Sequence, residues 1–320
     1  MKKILSVLSV LLLSMILVAC GNNESNGNTD GFDTSAAIKV YTRDTTSGTR
    51  DAFFSGIGFK DAVSSNEKLV TGFVEVDGNG TMRSGVAGDT LGIGYVSLSS
   101  LNDTVKPLMF NGVAGSVANV NNNTYDLKRP FMFVTRYEDS TEEPADDIEA
   151  LVRAFVAFSQ TQEGKAAIQS QGGILEIRAT DKTWDDIKAD HPVTTKDNSE
   201  LTIRFGGSTS VEAVSKALTA AFSPLAGNFN AVHEHTGSGD AVKRTWGSEK
   251  DAANSLHVGF ASRDFNQGEK DLFGNAQNGR LNWDAVVAVV HPTNPLSNIS
   301  AEQLVKIYDG TFTKWSDLID

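Results

Sequence analysis

The sequence predicts an α/β protein in which strands enter short turns and leave them as helices. Short runs rich in β-branched and aromatic residues alternate with helix-like runs along the whole chain. In SVEAVSKALTAAF the apolar residues Val211, Val214, Leu218 and Phe222 recur three or four apart, the stripe of a helix laid on a sheet. Beyond the polar stretch 21–36, roughly 285 residues remain, enough for two domains with their own cores.

In chain order, the expected strands are Ile38–Thr42, Lys68–Val76, Gly92–Val96, Phe131–Thr135, Leu201–Phe205, Ala231–His235, His257–Phe260 and Ala285–Val290. The expected helices are Asp147–Gln160, Glu163–Gln171, Thr209–Phe222, Asp240–Trp246 and Ala301–Tyr308, with a further helical run opening at Asp51-Ala52-Phe53-Phe54. No short-period repeat follows the N-terminal segment, which argues against a solenoid. The 29 glycines, in an otherwise ordinary composition, point to many turns.

The first residues are expected to direct export. MKK is a short basic stretch, Ile4 to Ala19 is apolar, and Leu17-Val18-Ala19-Cys20 closes it with small residues before a cysteine. The pattern resembles the lipobox of bacterial lipoprotein signals. The apolar stretch is shorter than the roughly 20 residues that span a bilayer. Residues 1–20 are therefore expected to be a signal peptide with Cys20 as the lipidated residue. Residues 21–36 (GNNESNGNTDGFDTSA) read as a flexible tether. Cys20 is the only cysteine, so lipidation leaves none for disulfides, thiolate metal sites or thiol catalysis. The mature protein is expected to be exported and lipid-anchored to the outer face of the bacterial cytoplasmic membrane.

The formal net charge is −12, and loss of Lys2 and Lys3 with the signal makes it −14. Such a surface argues against nucleic acid or an anionic membrane face as partner. A small anion stays compatible, because recessed backbone N–H groups act locally.

One turn chemistry occurs three times, in KVYTRDTTSGTRDAFF, TIRFGGSTSVEAVSKAL and AVHEHTGSGDAVKRTW. In each, a strand-like run enters a Ser/Gly/Thr turn and a helix-like run leaves. Helix capping by the hydroxyls accounts for any one of these alone. Converging, the three turns offer an anion a cluster of N–H and O–H donors. A micromolar ligand needs about 8 kcal/mol, whereas a helix end supplies about 0.3–1 kcal/mol, so an arginine is needed as well. Arg43 or Arg50 has the planar fork for it.

Other constellations are weaker. His233-Glu234-His235 puts two imidazoles on one strand face, a possible metal pair, but no third ligand is identifiable, and cleft-edge histidines are the plainer reading. Neither a G-x-S-x-G elbow nor a G-x-x-x-x-G-K-[ST] loop is present, so no enzyme activity, metal or cofactor is expected. Trp184, Trp246, Trp283 and Trp315 read as packing residues, and DSTEEPADD as a solvated acidic loop before a helix.

Taken together, these segments resemble a known family. RDTTSGTRDAF resembles the arginine-and-SGT loop of the periplasmic phosphate-binding proteins, the PstS-like receptors of phosphate ABC transporters. TIRFGGSTSVEAV resembles their opening strand and first hydroxyl loop, and HTGSGDAVK with VGFASRDF their second loop and the segment after it. VVAVVHPTNPLSNISAEQLVKIYDGTFTKWSDL, AGDTLGIGYVSLSSL and FVAFSQTQEGKAAIQSQGGI resemble further family segments, so the likeness covers nearly all of residues 37–320. It implies a two-domain type II periplasmic-binding-protein fold with the ligand cleft between domains.

The order of these segments departs from the family. Here the family's second half (about 37–178) precedes its first half (about 200–320), joined by residues 179–199, which implies a circular permutation. A gene-model artefact and a fragment pairing by exchange are the alternatives. The expected domains are a discontinuous one, 37–130 plus 287–320, and a continuous one, 131–286, hinged near Phe131 and Val287.

The resemblance implies phosphate contacts at Arg43, Ser47, Gly48, Thr49, Thr209, Ser210 and Ser238, with backbone N–H groups at Ser210 and Thr49 as added donors. Where the family can place an aspartate that accepts the proton of hydrogen phosphate, this chain has Ser262, with Arg263 as another cation beside it. The implied function is capture of inorganic phosphate and delivery to ABC permease subunits. The alternatives are a receptor for sulfate or molybdate, or a non-binding sensor or scaffold.

Overall fold

The computed structural model describes residues 31–319. The expected signal 1–20, its Cys20 and residues 21–30 of the expected tether lie outside them.

Eleven strands are found among the described residues: β1 (Lys39–Arg43), β2 (Val74–Val76), β3 (Gly92–Ser97), β4 (Lys106–Pro107), β5 (Met109–Phe110), β6 (Lys128–Glu138), β7 (Thr202–Gly207), β8 (Asn230–His235), β9 (Val258–Ala261), β10 (Ala276–Val290) and β11 (Asn298–Ile299). The main sheet has the order β2-β1-β3-β10-β6-β9-β7-β8, with β4 also on β10, while β11 and β5 pair separately. Two parallel groups stand at its ends. β1 runs parallel to β2 and β3, and β7 runs parallel to β8 and β9. The antiparallel strands β10 and β6 join them.

β10 is the spine. Its residues Ala276–Ala285 pair with β6, and from Val286 to Val290 its partner is β3. The run Ala285–Val290 is buried throughout, as expected for a strand covered on both faces. The strand reaches nine residues further back than the expected Ala285 start. The stretch AQNGRLN reads as a loop, yet Asn278, Gly279 and Arg280 pair with Val134, Phe133 and Met132, with an irregularity before Asn282. Pairing to a neighbour overrides low strand propensity here.

The expected strand Lys68–Val76 is corrected to Val74–Val76 alone. Gly72 turns the chain at φ +81°, and the Val70 amide donates to Tyr308 O at 2.7 Å instead of to a ladder. The expected helix at Thr209 begins only at Glu212. The helix Asn79–Ala87 was not foreseen, because NGTMRSGVA is a poor former. Met82 and Val86, four apart, anchor it in the core beside Tyr41, Val96 and Val287.

A second core packs the helices Asp147–Ser159 and Glu212–Phe222 on β6, β7 and β9. Phe155, Phe158, Phe205 and Phe222 meet there, with ring centroids 4.9–6.0 Å apart along the chain of contacts. Each such fully buried ring contributes about 1.5–3 kcal/mol. Trp184, from the joining segment 179–199, inserts into this core against Phe158 and Phe222. The first and last parts of the described fold lie side by side: Ile38 N donates to Thr313 O at 2.8 Å and Ser316 N to Thr34 O at 2.6 Å. Among the described residues, no helix is long and apolar enough to cross a membrane.

Candidate anion-binding site

The turns after the C-terminal ends of β1, β2, β7, β8 and β9 carry Ser47–Thr49, Asn79, Ser208–Ser210, Ser238 and Ser262. In open α/β sheets this is the edge at which ligands bind, since parallel strands deliver their turns to one side. The two parallel groups bring these turns together. Thr49 Oγ1 lies 2.9 Å from Ser210 Oγ, and Ser238 Oγ lies 3.2 Å from Ser262 Oγ. A Cβ on Gly48 would come within 2.4 Å of Ser238 Oγ and 2.7 Å of Ser262 Oγ. Glycine is thus required by close approach, at an ordinary backbone conformation.

The hydroxyls do different work. Ser47 caps the helix Gly48–Gly56, accepting from Thr49 N at 3.2 Å and Arg50 N at 3.3 Å. Neither Ser210 nor Ser238 makes a side-chain cap bond to the helix after it. Their oxygens face the neighbouring turns instead. The Ser210 amide donates to Ser208 Oγ at 3.2 Å and the Ser262 amide to Ser238 Oγ at 3.0 Å, so the Ser210 and Thr49 amides are already engaged within their own turns.

The two arginines of RDTTSGTR part company. Arg43 is buried, and its guanidinium donates to Asp77 O at 2.8 Å, Val76 O at 3.2 Å and Thr209 Oγ1 at 3.4 Å. Burial pulls its pKa below the ordinary arginine value, against the opposing pull of Asp44. Arg50 points into its own side of the fold and donates to carbonyls of Arg43, Ala62 and Ser65. Arg263 is taken by Glu269, at 2.7 and 2.8 Å, and lies 3.6 Å from Asp51, so it contributes no free cation to the cluster.

Three contributors were missed from sequence. Arg129 at the start of β6 is buried, with NH2 2.9 Å from Ser210 Oγ and NH1 3.2 Å from Ser262 Oγ. Asp284 on β10 accepts from Arg129 Nε at 2.9 Å. Asn79 Nδ2 donates to Ser210 Oγ at 3.0 Å. A signal existed: NWDAVVAVV sets one carboxylate in an apolar run, and a buried charge needs a partner.

Beside the cluster opens a cavity of about 330 Å³ lined by Asn79, Arg83, Ser99, Thr209, Ser210 and Lys216. A larger surface cavity, about 550 Å³, lies between Glu142–Asp147 and Asp190–Lys196 and contains none of these groups.

The histidine pair turns to packing. His233 Nε2 lies 3.0 Å from Thr219 Oγ1, and His235 Nδ1 lies 2.9 Å from Ser208 O. Burial pushes both pKa values down to about 4. Among the described residues no group of three His, Cys, Asp or Glu side chains could hold a metal ion.

Residues 190–320 match the family model described as a PBP superfamily domain. The chain is 27% identical over 320 residues to phosphate-binding protein PstS 2 of Streptococcus pneumoniae, covering 99% of each chain. It is 26% identical over 321 residues to phosphate-binding protein PstS 2 of Streptococcus agalactiae, covering 99% of this chain and 98% of that one. The crystal structure of a phosphate ABC transporter, phosphate-binding protein from Streptococcus pneumoniae superposes with a TM-score of 0.62 at 24% identity, over 88% of this chain and all of that one.

Proposed function

We propose that this chain, whose residues 190–320 match a PBP superfamily domain and whose fold is similar to that of a phosphate transporter's binding protein, captures inorganic phosphate for an ABC importer. The observation that carries the reading is the meeting of hydroxyl turns from distant parts of the chain, Thr49 with Ser210 and Gly48 with Ser238 and Ser262. In this reading Arg43, Ser47, Gly48, Thr49, Thr209, Ser210, Ser238 and Ser262 contact the anion. The full-length similarity to two proteins named for phosphate binding supports phosphate as the ligand. The chain acts as a receptor without catalysing a reaction, and permease subunits take the anion from it.

The same reading divides the fold into 37–130 plus 287–320 and 131–286, which close on the anion as a hinge. The partner change of β10 between Ala285 and Val286 supports a crossing there. Export and anchoring through Cys20 complete the proposal; replacing Cys20 with alanine should release the protein from the membrane fraction. Circular permutation relative to the wider family is supported by the contact between residues 34–38 and 313–316, where a cut would leave two neighbouring ends. Collinear similarity to the streptococcal proteins means that they share this segment order.

The test is calorimetric titration of the full chain, purified in detergent and stripped of ligand, with phosphate, sulfate and molybdate. Phosphate should bind at micromolar Kd or better, corresponding to about 8 kcal/mol. Arg43→Ala should abolish the heat. No heat from a folded parent with any of the three anions sinks the receptor reading. The serine at position 262 favours one second reading, a receptor for another tetrahedral oxyanion; tighter binding of sulfate or molybdate than phosphate would establish it.

A further inference from the structure

We propose that Arg129, aimed by Asp284, is a further anion-contacting residue that fills the site with donors and so selects doubly charged oxyanions. The inference rests on the receptor reading above.

Arg129 and Asp284 are both buried, at 3% and 0% exposure. The Asp284 carboxylate accepts from Arg129 Nε at 2.9 Å, Ser97 Oγ at 2.6 Å and Ser99 N at 3.2 Å, and Arg129 NH2 lies 2.9 Å away. Its acceptor capacity is therefore spent within the protein. The far edge of the guanidinium meets Ser210 Oγ and Ser262 Oγ, two hydroxyls of the converging turns. Arg50 shows what a purely structural arginine does in this fold: it faces backbone carbonyls. Arg129 instead directs its outer edge to two hydroxyls at the point where the turns meet.

The consequence for Ser210 follows from counting. A hydroxyl oxygen has two lone pairs and one proton. Arg129 NH2 and Asn79 Nδ2 occupy both lone pairs of Ser210, so its proton must be donated, toward Thr49 or toward a ligand oxygen. At Ser262, Arg129 NH1 takes one lone pair. Asp51 faces Arg263, Asp44 accepts from Thr46, Asp77 accepts from Thr81, and Glu212, which lines the cavity beside Ser210, accepts from Lys216 Nζ. A ligand O–H then finds few acceptors, whereas ionised oxygens find Arg43, Arg129 and hydroxyl donors. His235, behind Ser208, stays neutral above its pKa of about 4 and does not titrate in the range where phosphate does.

The experiment titrates the full chain with phosphate and sulfate at pH 6 and pH 8, as the parent, Arg129→Lys, and Arg129→Gln with Asp284→Asn. The double variant removes both charges, so neither is left buried alone. The parent should bind phosphate more tightly at pH 8 and sulfate equally at both. The double variant should lose about tenfold or more in phosphate affinity at pH 8, and its pH dependence should flatten. Arg129→Lys should also weaken binding, because an ammonium cannot span both hydroxyls and Asp284. Parental affinity in a folded double variant, or an equal loss at both pH values, overturns the inference and leaves the pair structural. If the double variant does not fold, parental affinity in Arg129→Lys overturns it. A parent that binds neither anion overturns the receptor reading and this one with it.

Discussion

The guanidinium of Arg50 donates to the carbonyl oxygen of Arg43 at 2.7 Å, so one arginine of the turn holds the backbone of the other. Arg50 also donates to Ala62 O and Ser65 O, both at 2.9 Å. Seven residues apart, the two side chains meet different partners, and only Arg43 reaches Thr209.

Arg50→Met should therefore cost stability. Three buried carbonyls lose their donor, at about 1–3 kcal/mol for each left unsatisfied, so a loss of at least about 3 kcal/mol is expected. Urea unfolding measures it, and a parental midpoint would contradict the assignment. Arg43→Lys should instead act mainly on anion affinity.

Gly48→Ala should weaken anion binding. The new methyl would sit 2.4 Å from Ser238 Oγ and 2.7 Å from Ser262 Oγ, forcing the turns apart. Overpacking of this kind costs about 1–3 kcal/mol, with the strain located in the cluster. Titration of the folded variant should give a phosphate affinity weaker by about 5- to 150-fold; parental affinity would show that the turns do not converge on the ligand.

Thr49 and Ser210 should be energetically coupled. Thr49→Val and Ser210→Ala, singly and together, form a double-mutant cycle in thermal or urea unfolding. An interaction energy of about 0.5–1.5 kcal/mol is expected for the 2.9 Å contact. Strict additivity would mean that the two hydroxyls do not meet in solution.

His233 and His235 should make the fold acid-sensitive. Burial lowers both from 6.5 to about 4, so the folded protein holds them neutral while the unfolded chain protonates more readily. Their contribution is complete above pH 6.5 and is lost as pH falls toward 4. After allowance for solvent screening, the loss is on the order of 1–3 kcal/mol in all. Urea midpoints at pH 7 and pH 4.5 should differ, and less so in His233→Gln with His235→Asn. An unchanged difference in that variant would assign the acid sensitivity elsewhere.

By itself, the sequence determined the α/β class, most element centres and the three hydroxyl turns. These are local properties: an apolar stripe such as Val211, Val214, Leu218 and Phe222 declares a helix before any neighbour is known. The turns Ser47–Thr49, Ser208–Ser210 and Gly237–Gly239 are legible because glycine and hydroxyl residues at a strand's end are a local signature, whereas the choice of Arg43, Thr209, Ser210, Ser238 and Ser262 as contacts came from the family resemblance. What only the tertiary structure decided depends on partners far along the chain. The polar half of β10 is a strand because β6 pairs with it. Arg50 proved structural because three carbonyls surround its guanidinium, and Arg263 was withdrawn by Glu269. Arg129 gained its place through Asp284, 155 residues away, on a strand whose apolar pattern marks a buried carboxylate without telling which partner it meets. Charges in strands carry no periodicity that tells which face or partner they will meet, so their roles are set only when the sheet closes.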